Sequence, residues 1–418
     1  MPQTSTPTPQ NLFKRLRSSH DDRAALQEAA QLAIQVEFTT IPAYLTALYS
    51  ISQSDSNAYQ LLRSVVIEEM FHVNQAANLL VAIGGKPRFT EDYTPTYPCY
   101  LPQANTNTTP YIGLYRASVD VFANVFTAIE TPAPSDAPPE GDNYNTIAQL
   151  YGALQSGLQS YNGSQVLFES DHCARQRKDI YLGKFGGKPV EVTNMETANL
   201  AITEIVQQGE GSVPSGKPLN PTEKWGAYNH YGLRTDLTYG PIIGKPNEMS
   251  HFMKFRAITQ SNDAFPSTYP IISNPKREYF TNPMAVELAK CFDYAYSIML
   301  QALERTFVKP KCLHGRWAEV DPYFTVALPL MHYVLPNLAR TLMTTPAYTD
   351  GDSAVGPNAA PTFLYEADAN IDSLRKSLEE SIDAIRQYAD PSTRDTQLIP
   401  LLTALEYVQQ LTTIFASN

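Results

Sequence analysis

The sequence predicts a mainly α protein, a four-helix bundle carrying long loop-rich insertions and followed by additional C-terminal helices. Three observations predict it: apolar residues recur at helical spacing along most segments, strand signals are sparse, and a few ionisable residues sit inside the apolar stripes. With 43% hydrophobic and only 17% charged residues, the 418-residue chain has the composition of a packed protein rather than a disordered one. Its net charge of −11, with 31 basic residues scattered singly, argues against a nucleic-acid partner. No stretch approaches the roughly 18 uninterrupted apolar residues of a membrane span, since the window Phe324 to Leu338 is broken by Pro329, His332 and Pro336. Residues 1–10 are polar and proline-rich and lack the apolar core of a secretory signal, so a cytoplasmic location is expected. Cys99, Cys173, Cys291 and Cys312 share no metal or redox spacing and are expected to be separate reduced thiols.

Residues 1–20 are expected to be disordered, 21–365 to form the bundle, with insertions at 86–192 and 212–247, and 366–418 to form a helical extension. From Asp21 to Ser50, Leu26, Ala30, Ala33, Glu37, Ile41, Tyr44 and Leu48 fall on one stripe, with Glu37 at its centre, where a carboxylate needs compensation. Pro42 is expected inside this helix and, lacking an amide, to bend it just after Glu37. A second helix spans Asn57 to Ile83 and ends at Gly84-Gly85; Glu69 and His72 lie on its apolar face, and Glu68 toward the edge, facing solvent or supporting the others from outside. The first insertion is rich in Pro, Asn, Thr and Tyr, with short helices at 114–129 and 146–158. A third main helix opens at Met195 behind a Thr193…Glu196 capping pattern, and a fourth opens at Glu248. Further helices are expected at 283–307, 321–343, 371–388 and 396–415.

The chemistry lies in the order of the ionisable residues: one glutamate on a first helix, Glu69-x-x-His72 on a second, a carboxylate near the end of a third, and Glu248-x-x-His251 on a fourth. A carboxylate and an imidazole three residues apart on a helix share a face, so two such helices can offer nitrogens and oxygens to a pair of cations. Hard oxygen ligands with one imidazole per metal suit two iron ions, with manganese as the alternative. On the third helix Glu204 and Glu210 both lie off the apolar stripe. Glu210, which follows Gly209 where a helix end can turn a side chain inward, is the better candidate. His172 and His230 lie in loop-rich sequence without a partner at helical spacing, although His230 stands among Trp225, Tyr228 and Tyr231 as a candidate pocket residue.

The runs Ala33 to Leu45, Val65 to His72 with its Glu68-Glu69-Met70-Phe71-His72, and Asn78 to Gly85 resemble the ferritin-like domain of iminophenyl-pyruvate dimer synthases. The resemblance continues through Gln208-Gly209-Glu210-Gly211 and Ser250-His251-Phe252. Those enzymes, of violacein- and rebeccamycin-type pathways, couple two imines derived from aromatic amino acids. The resemblance implies a ferritin-like bundle with metal ligands at Glu37, Glu69, His72, Glu248 and His251. Glu210 matches the family's acidic-Gln-Gly-Glu-Gly run, except that Gln207 stands at the leading acidic position. The expected activity is that of a dimetal oxidoreductase taking O2 or peroxide, with a small, aromatic substrate that a partner enzyme would deliver. Metal storage or a non-catalytic metal-stabilised module are the alternatives, and the long insertions argue against a compact cage subunit.

Overall fold

The computed structural model describes residues 11–18, 20–132, 143–180, 189–210 and 249–416, together with the backbone of 224–225 and 228–229. It is mainly helical, and among the described residues the strands are limited to a two-residue antiparallel ribbon, β1 (Lys224–Trp225) with β2 (Tyr228–Asn229).

Residues 11–18 depart from the expected disorder. Helix α1 (Leu12–Ser18) buries Leu12, Phe13 and Leu16, an i, i+1, i+4 apolar face too short to be read as a helix without its partners. The partners are α2 (Arg23–Ser50) and, further along the chain, the helix Ile147–Ser160. Arg15 pairs with Asp22 at 3.0 Å, and Asp22 caps α2 by accepting the Ala25 amide at 2.8 Å. Helix α2 runs through Pro42. Helix α3 (Asn57–Ala82) packs along α2 and is capped by Ser56. Its end turns on Gly84 at φ +81, and the last-turn carbonyl of Ile83 accepts from both Arg23 and Gln27 of α2. The start of one long helix thereby closes the end of the other.

Across the first insertion, α4 (Val119–Val121), a π-helical turn Phe122–Phe126 and α5 (Thr127–Ile129) form one continuous helical segment that packs on the helix His251–Thr259. Helix α6 (Ile147–Ser160) bridges α2 to α7 (Met195–Gly209). Gly157 of α6 is required by the close approach, because a Cβ there would lie 2.9 Å from a Leu26 methyl. The capping box of α7 is Asn194 with Thr197, displaced by one residue from the expected Thr193 and Glu196, since Asn194 holds an extended backbone from which its amide oxygen reaches the Thr197 N–H. Helix α8 (His251–Thr259) starts three residues later than Glu248, because Ser250 is its extended N-cap and accepts from Met253. Helices α7 and α8 both pack on α3.

The C-terminal half forms a second group of packed helices: α9 (Pro283–Thr306), α10 (Leu335–Met343), α11 (Ile371–Tyr388) and α12 (Arg394–Ala416), with α10 touching α2. The helix expected over 321–343 is present from 322 to 343, with two π-helical stretches, Tyr323–Ala327 and Leu330–Val334, before α10. Pro329, between them, has no amide to donate, and wider i→i+5 turns accommodate that loss.

The cysteines also depart from expectation. Cys173 and Cys312 form a disulfide, leaving Cys99 and Cys291 free. A gap of 139 residues hid the pairing, and a backbone bridge between Ala174 and Val308 is what brings the two segments together.

Asp293 on α9 is buried, and its Oδ1 accepts from Thr362 Oγ1 at 2.6 Å and the Leu364 amide at 3.0 Å. Burial pushes its carboxyl up to about 7, against those hydrogen bonds and Arg277 at 3.7 Å. A raised folded-state pKa contributes stability that is present below the ordinary carboxylate range and is lost as pH rises through about 7. Asp293→Asn should therefore flatten the thermal-stability profile between pH 4 and 8. At about 1.4 kcal/mol per pKa unit the difference amounts to a few kcal/mol, and melting curves that fall in parallel for both proteins would refute the assignment.

Candidate metal centre

Four elements deliver buried ionisable side chains to one place. Glu37 comes from the middle of α2, Glu69 and His72 from one turn of α3, and His251 from the first turn of α8; all are at most 2% exposed. A fifth group, Glu130, follows α5 directly and is 1% exposed. His72 Nδ1 lies 3.4 Å from Glu37 Oε2 and 3.6 Å from Glu69 Oε2. His251 Nδ1 lies 3.0 Å from Glu69 Oε1 and 3.8 Å from Glu130 Oε2. The two oxygens of Glu69 are thus divided between two imidazoles, whose rings stack with centroids 5.1 Å apart.

The other nitrogen of each ring is engaged on the outside. His72 Nε2 is 2.9 Å from Gln208 Oε1, and His251 Nε2 is 2.9 Å from Glu68 Oε2. Carboxylate and amide oxygens can only accept, so both Nε2 atoms carry hydrogens when the rings are neutral, and both Nδ1 lone pairs face the carboxylates. Glu68 is itself buried and paired with the buried Lys254. Its carboxyl falls below the ordinary range although burial opposes this, because the Lys254 charge and the His251 hydrogen bond outweigh desolvation. Of the two placements expected for Glu68, the structure takes the supporting one.

The cluster attracts positive charge. Burial is the largest influence on Glu37, raising its carboxyl against the pull of His72. Burial also works against protonated imidazoles, yet Glu37 and Glu69 push His72 up to about 9, and Glu130, Glu68 and Glu69 hold His251 well above its usual value. Among the described residues, Glu37 Oε1 and Glu69 Oε2 are buried without a hydrogen-bond partner. Such atoms ordinarily cost about 1–3 kcal/mol each, and cations are the partners they lack. Glu69, His72 and His251 each place a ligand atom within 4.8 Å of the others. The donor set of carboxylate oxygens and neutral imidazoles fits hard or intermediate divalent ions.

Of the residues expected from sequence, Glu37, Glu69, His72 and His251 converge. Glu210 is buried at the end of α7, where its Oε1 accepts the Ala148 amide at 2.9 Å, and Glu204 is half-buried. Glu248 and His230 lie outside the described residues. Since α8 begins at His251, the helical-spacing argument for pairing Glu248 with His251 does not hold. Sequence reading missed Glu130, which stands one residue beyond a helix expected to end at 129. The signal was present: Phe122, Phe126 and Glu130 recur every four residues, the first two buried against Phe255 of α8. Tyr44, one stripe position beyond Ile41, donates its hydroxyl to Glu130 Oε1 at 2.7 Å. Tyr151 of α6 buries its phenol, which is raised well above its usual range by burial and by the charge of Glu37.

Residues 30–260, more than half of the chain, match the family profile described as Ferritin-like. The chain belongs to the ferritin-like family. This ferritin-like chain is also similar to dichlorochromopyrrolate synthase of Lentzea aerocolonigenes, 25% identical over 244 residues that make up 55% of this chain and 22% of the relative. The match therefore spans about a fifth of that protein's length. A ferritin-like protein from Caulobacter vibrioides of known structure covers 67% of this chain and 85% of its own, at 23% identity and a TM-score of 0.46.

Removing either half of a buried ion pair typically costs about 3–5 kcal/mol, and replacing both by apolar or neutral groups costs less. Glu68→Gln and Lys254→Met should each lower the melting temperature of the metal-free protein markedly, and the double variant should lose less than their sum. Strict additivity in chemical denaturation would show that the two side chains do not act as a pair.

Proposed function

We propose that this ferritin-like chain is an oxidoreductase in which Glu37, Glu69, His72, Glu130 and His251 hold two metal ions, iron with manganese as the alternative, and oxidise or oxidatively couple a small aromatic substrate. Glu210 and Glu248 are the further carboxylates proposed for the pair. The observation that carries this reading is the division of Glu69 between two imidazoles whose Nδ1 atoms face inward. The substrate class rests on the relative, which is named for the synthesis of dichlorochromopyrrolate, and on the likeness to enzymes that couple imines of aromatic amino acids.

Metal ions bound here would supply activation of dioxygen or peroxide and the oxidising equivalents. The chain's own residues do the rest. Gln208 and Glu68 hold the two imidazoles in one tautomer and orientation. Tyr44 fixes Glu130, and its ring packs at 4.7 Å on Phe126 and 5.3 Å on Phe255, an aromatic wall that excludes water from that side. The polar and aromatic insertions of 86–192 and 212–247 are proposed to shape the substrate mouth.

Metal analysis of purified protein should find about two iron or manganese ions per chain, with anomalous scattering at the Glu69 carboxylate. Glu69→Ala should abolish metal binding while far-UV dichroism remains that of a folded helical protein. Loss of helical signal in Glu69→Ala would leave the question to His72→Gln, which retains volume and a hydrogen-bonding group. Unchanged metal content in both variants would sink the site.

Activity is tested by generating an aromatic α-imino acid in situ with an amino-acid oxidase and following oxygen uptake and dimeric products. Turnover dependent on the loaded metal supports the proposal. Uptake of many irons per chain with no organic product would favour storage instead.

A further inference from the structure

We propose that His172, Cys173 and Cys312 form a soft-metal site that alternates with the Cys173–Cys312 disulfide, the metal binding only when the cysteines are reduced. The site is separate from the buried carboxylate cluster and joins the first insertion to the segment that follows α9. The two cysteines are held together by more than their sulfurs. The Arg175 amide donates to Phe307 O at 2.8 Å, the Lys309 amide donates to Cys173 O at 2.7 Å, and Cys312 lies in a turn whose amide donates to Lys309 O at 2.9 Å. Cutting the disulfide leaves this backbone ladder in place, so the thiols stay adjacent as a preformed pair.

The third ligand is already oriented. His172 Nε2 lies 3.3 Å from Cys173 Sγ, while its Nδ1 faces Asp171 Oδ1 at 3.6 Å. Asp171 Oδ1 is fixed in turn by the Cys173 amide at 2.7 Å. A carboxylate behind one imidazole nitrogen, with the other free for a metal, is a recurrent support for zinc-type ligation. One ligand atom from each of the three residues lies within 4.8 Å of the others. The His172 side chain is 82% exposed, so metal and reductant have access and a fourth position is open to water. Two thiolates and an imidazole select zinc or cadmium, whereas the buried cluster offers oxygen-rich ligands suited to harder ions.

The chemistry balances with a dithiol reductant. Two electrons and two protons pass to the disulfide, giving two thiols and an oxidised dithiol; binding of one divalent ion by the thiolates then releases the two thiol protons. Disulfide and metal are thus alternative staples for the same joint. That joint leads into residues 177–180, and Arg177 within them anchors on Asn74 and Asn78 of α3, the helix that carries His72.

Cadmium is the probe, because its thiolate charge-transfer absorption in the near-ultraviolet cannot arise from carboxylate or imidazole ligands. The full chain, reduced with a dithiol and freed of it anaerobically, should develop this band with an amplitude of one metal per chain, and the oxidised chain should not. Cys312→Ser retains Cys99, Cys173 and Cys291 and should lose at least 100-fold in affinity, while His172→Ala should lose about 10–100-fold. The oxidised and reduced wild-type proteins are the same chain, so this comparison holds even if a variant misfolds. No thiolate band in the reduced protein, or a band of equal affinity in Cys312→Ser, overturns the site. Unchanged affinity in His172→Ala overturns the three-ligand assignment.

Discussion

Three glutamates, Glu37, Glu69 and Glu130, share one buried space between helices, and the remainder of this architecture follows from the need to compensate them. Isolated carboxylates in an apolar interior are too costly to keep ionised, so they must gain protons, cations or hydrogen bonds. The chain supplies each kind of compensation. His72 and His251 bind protons far more readily than free imidazoles, Lys254 neutralises Glu68, and Tyr44 donates to Glu130. Among the described residues, unsatisfied oxygens remain on the inward side at Glu37 Oε1 and Glu69 Oε2. A core with no use for cations would have little reason to accept that pattern.

The first insertion is more than a cover for the bundle. It provides Glu130 at the end of a helical segment whose Phe122 and Phe126 lock onto Phe255 of α8, which places this carboxylate beside His251 of the same helix. At its far end, Arg177 is buried against Asp321 at 3.0 Å while Asn78 both accepts from its amide and donates to its carbonyl. Side-chain amides on α3 thereby satisfy backbone that belongs to no strand or helix, and the bundle and its long connection are bound as one packed body.

What was legible in the sequence was whatever repeats along a helix. The stripe from Leu26 to Leu48 located Glu37 in a core, and the spacing of Glu69 and His72 located two more residues of the buried cluster, because a helix fixes which residues share a face. What was hidden depended on contacts between distant segments. Glu130 is read as a site residue only once Tyr44 and His251 are beside it, and the pairing of Cys173 with Cys312 needs the bridge at Ala174 and Val308. Local capping also shifted boundaries: Ser250 ended the extended chain and began α8, so His251 owes its position to a helix start rather than to a spacing from Glu248.

That helix start clarifies why two consecutive glutamates are needed on α3. Neighbours on a helix diverge by about 100°, so Glu68 and Glu69 cannot serve the same point on an adjacent surface. They straddle the His251 ring instead: Glu69 Oε1 meets Nδ1 at 3.0 Å, and Glu68 Oε2 meets Nε2 at 2.9 Å. A ring gripped at both nitrogens by acceptors would have to be doubly protonated, unless a cation takes the place of one hydrogen. Lys254, one turn after His251, binds Glu68 and so marks the side on which the ring keeps its hydrogen. The asymmetry of one lysine thus directs the vacant nitrogen of His251 toward Glu69 and Glu130, where the carboxylates converge.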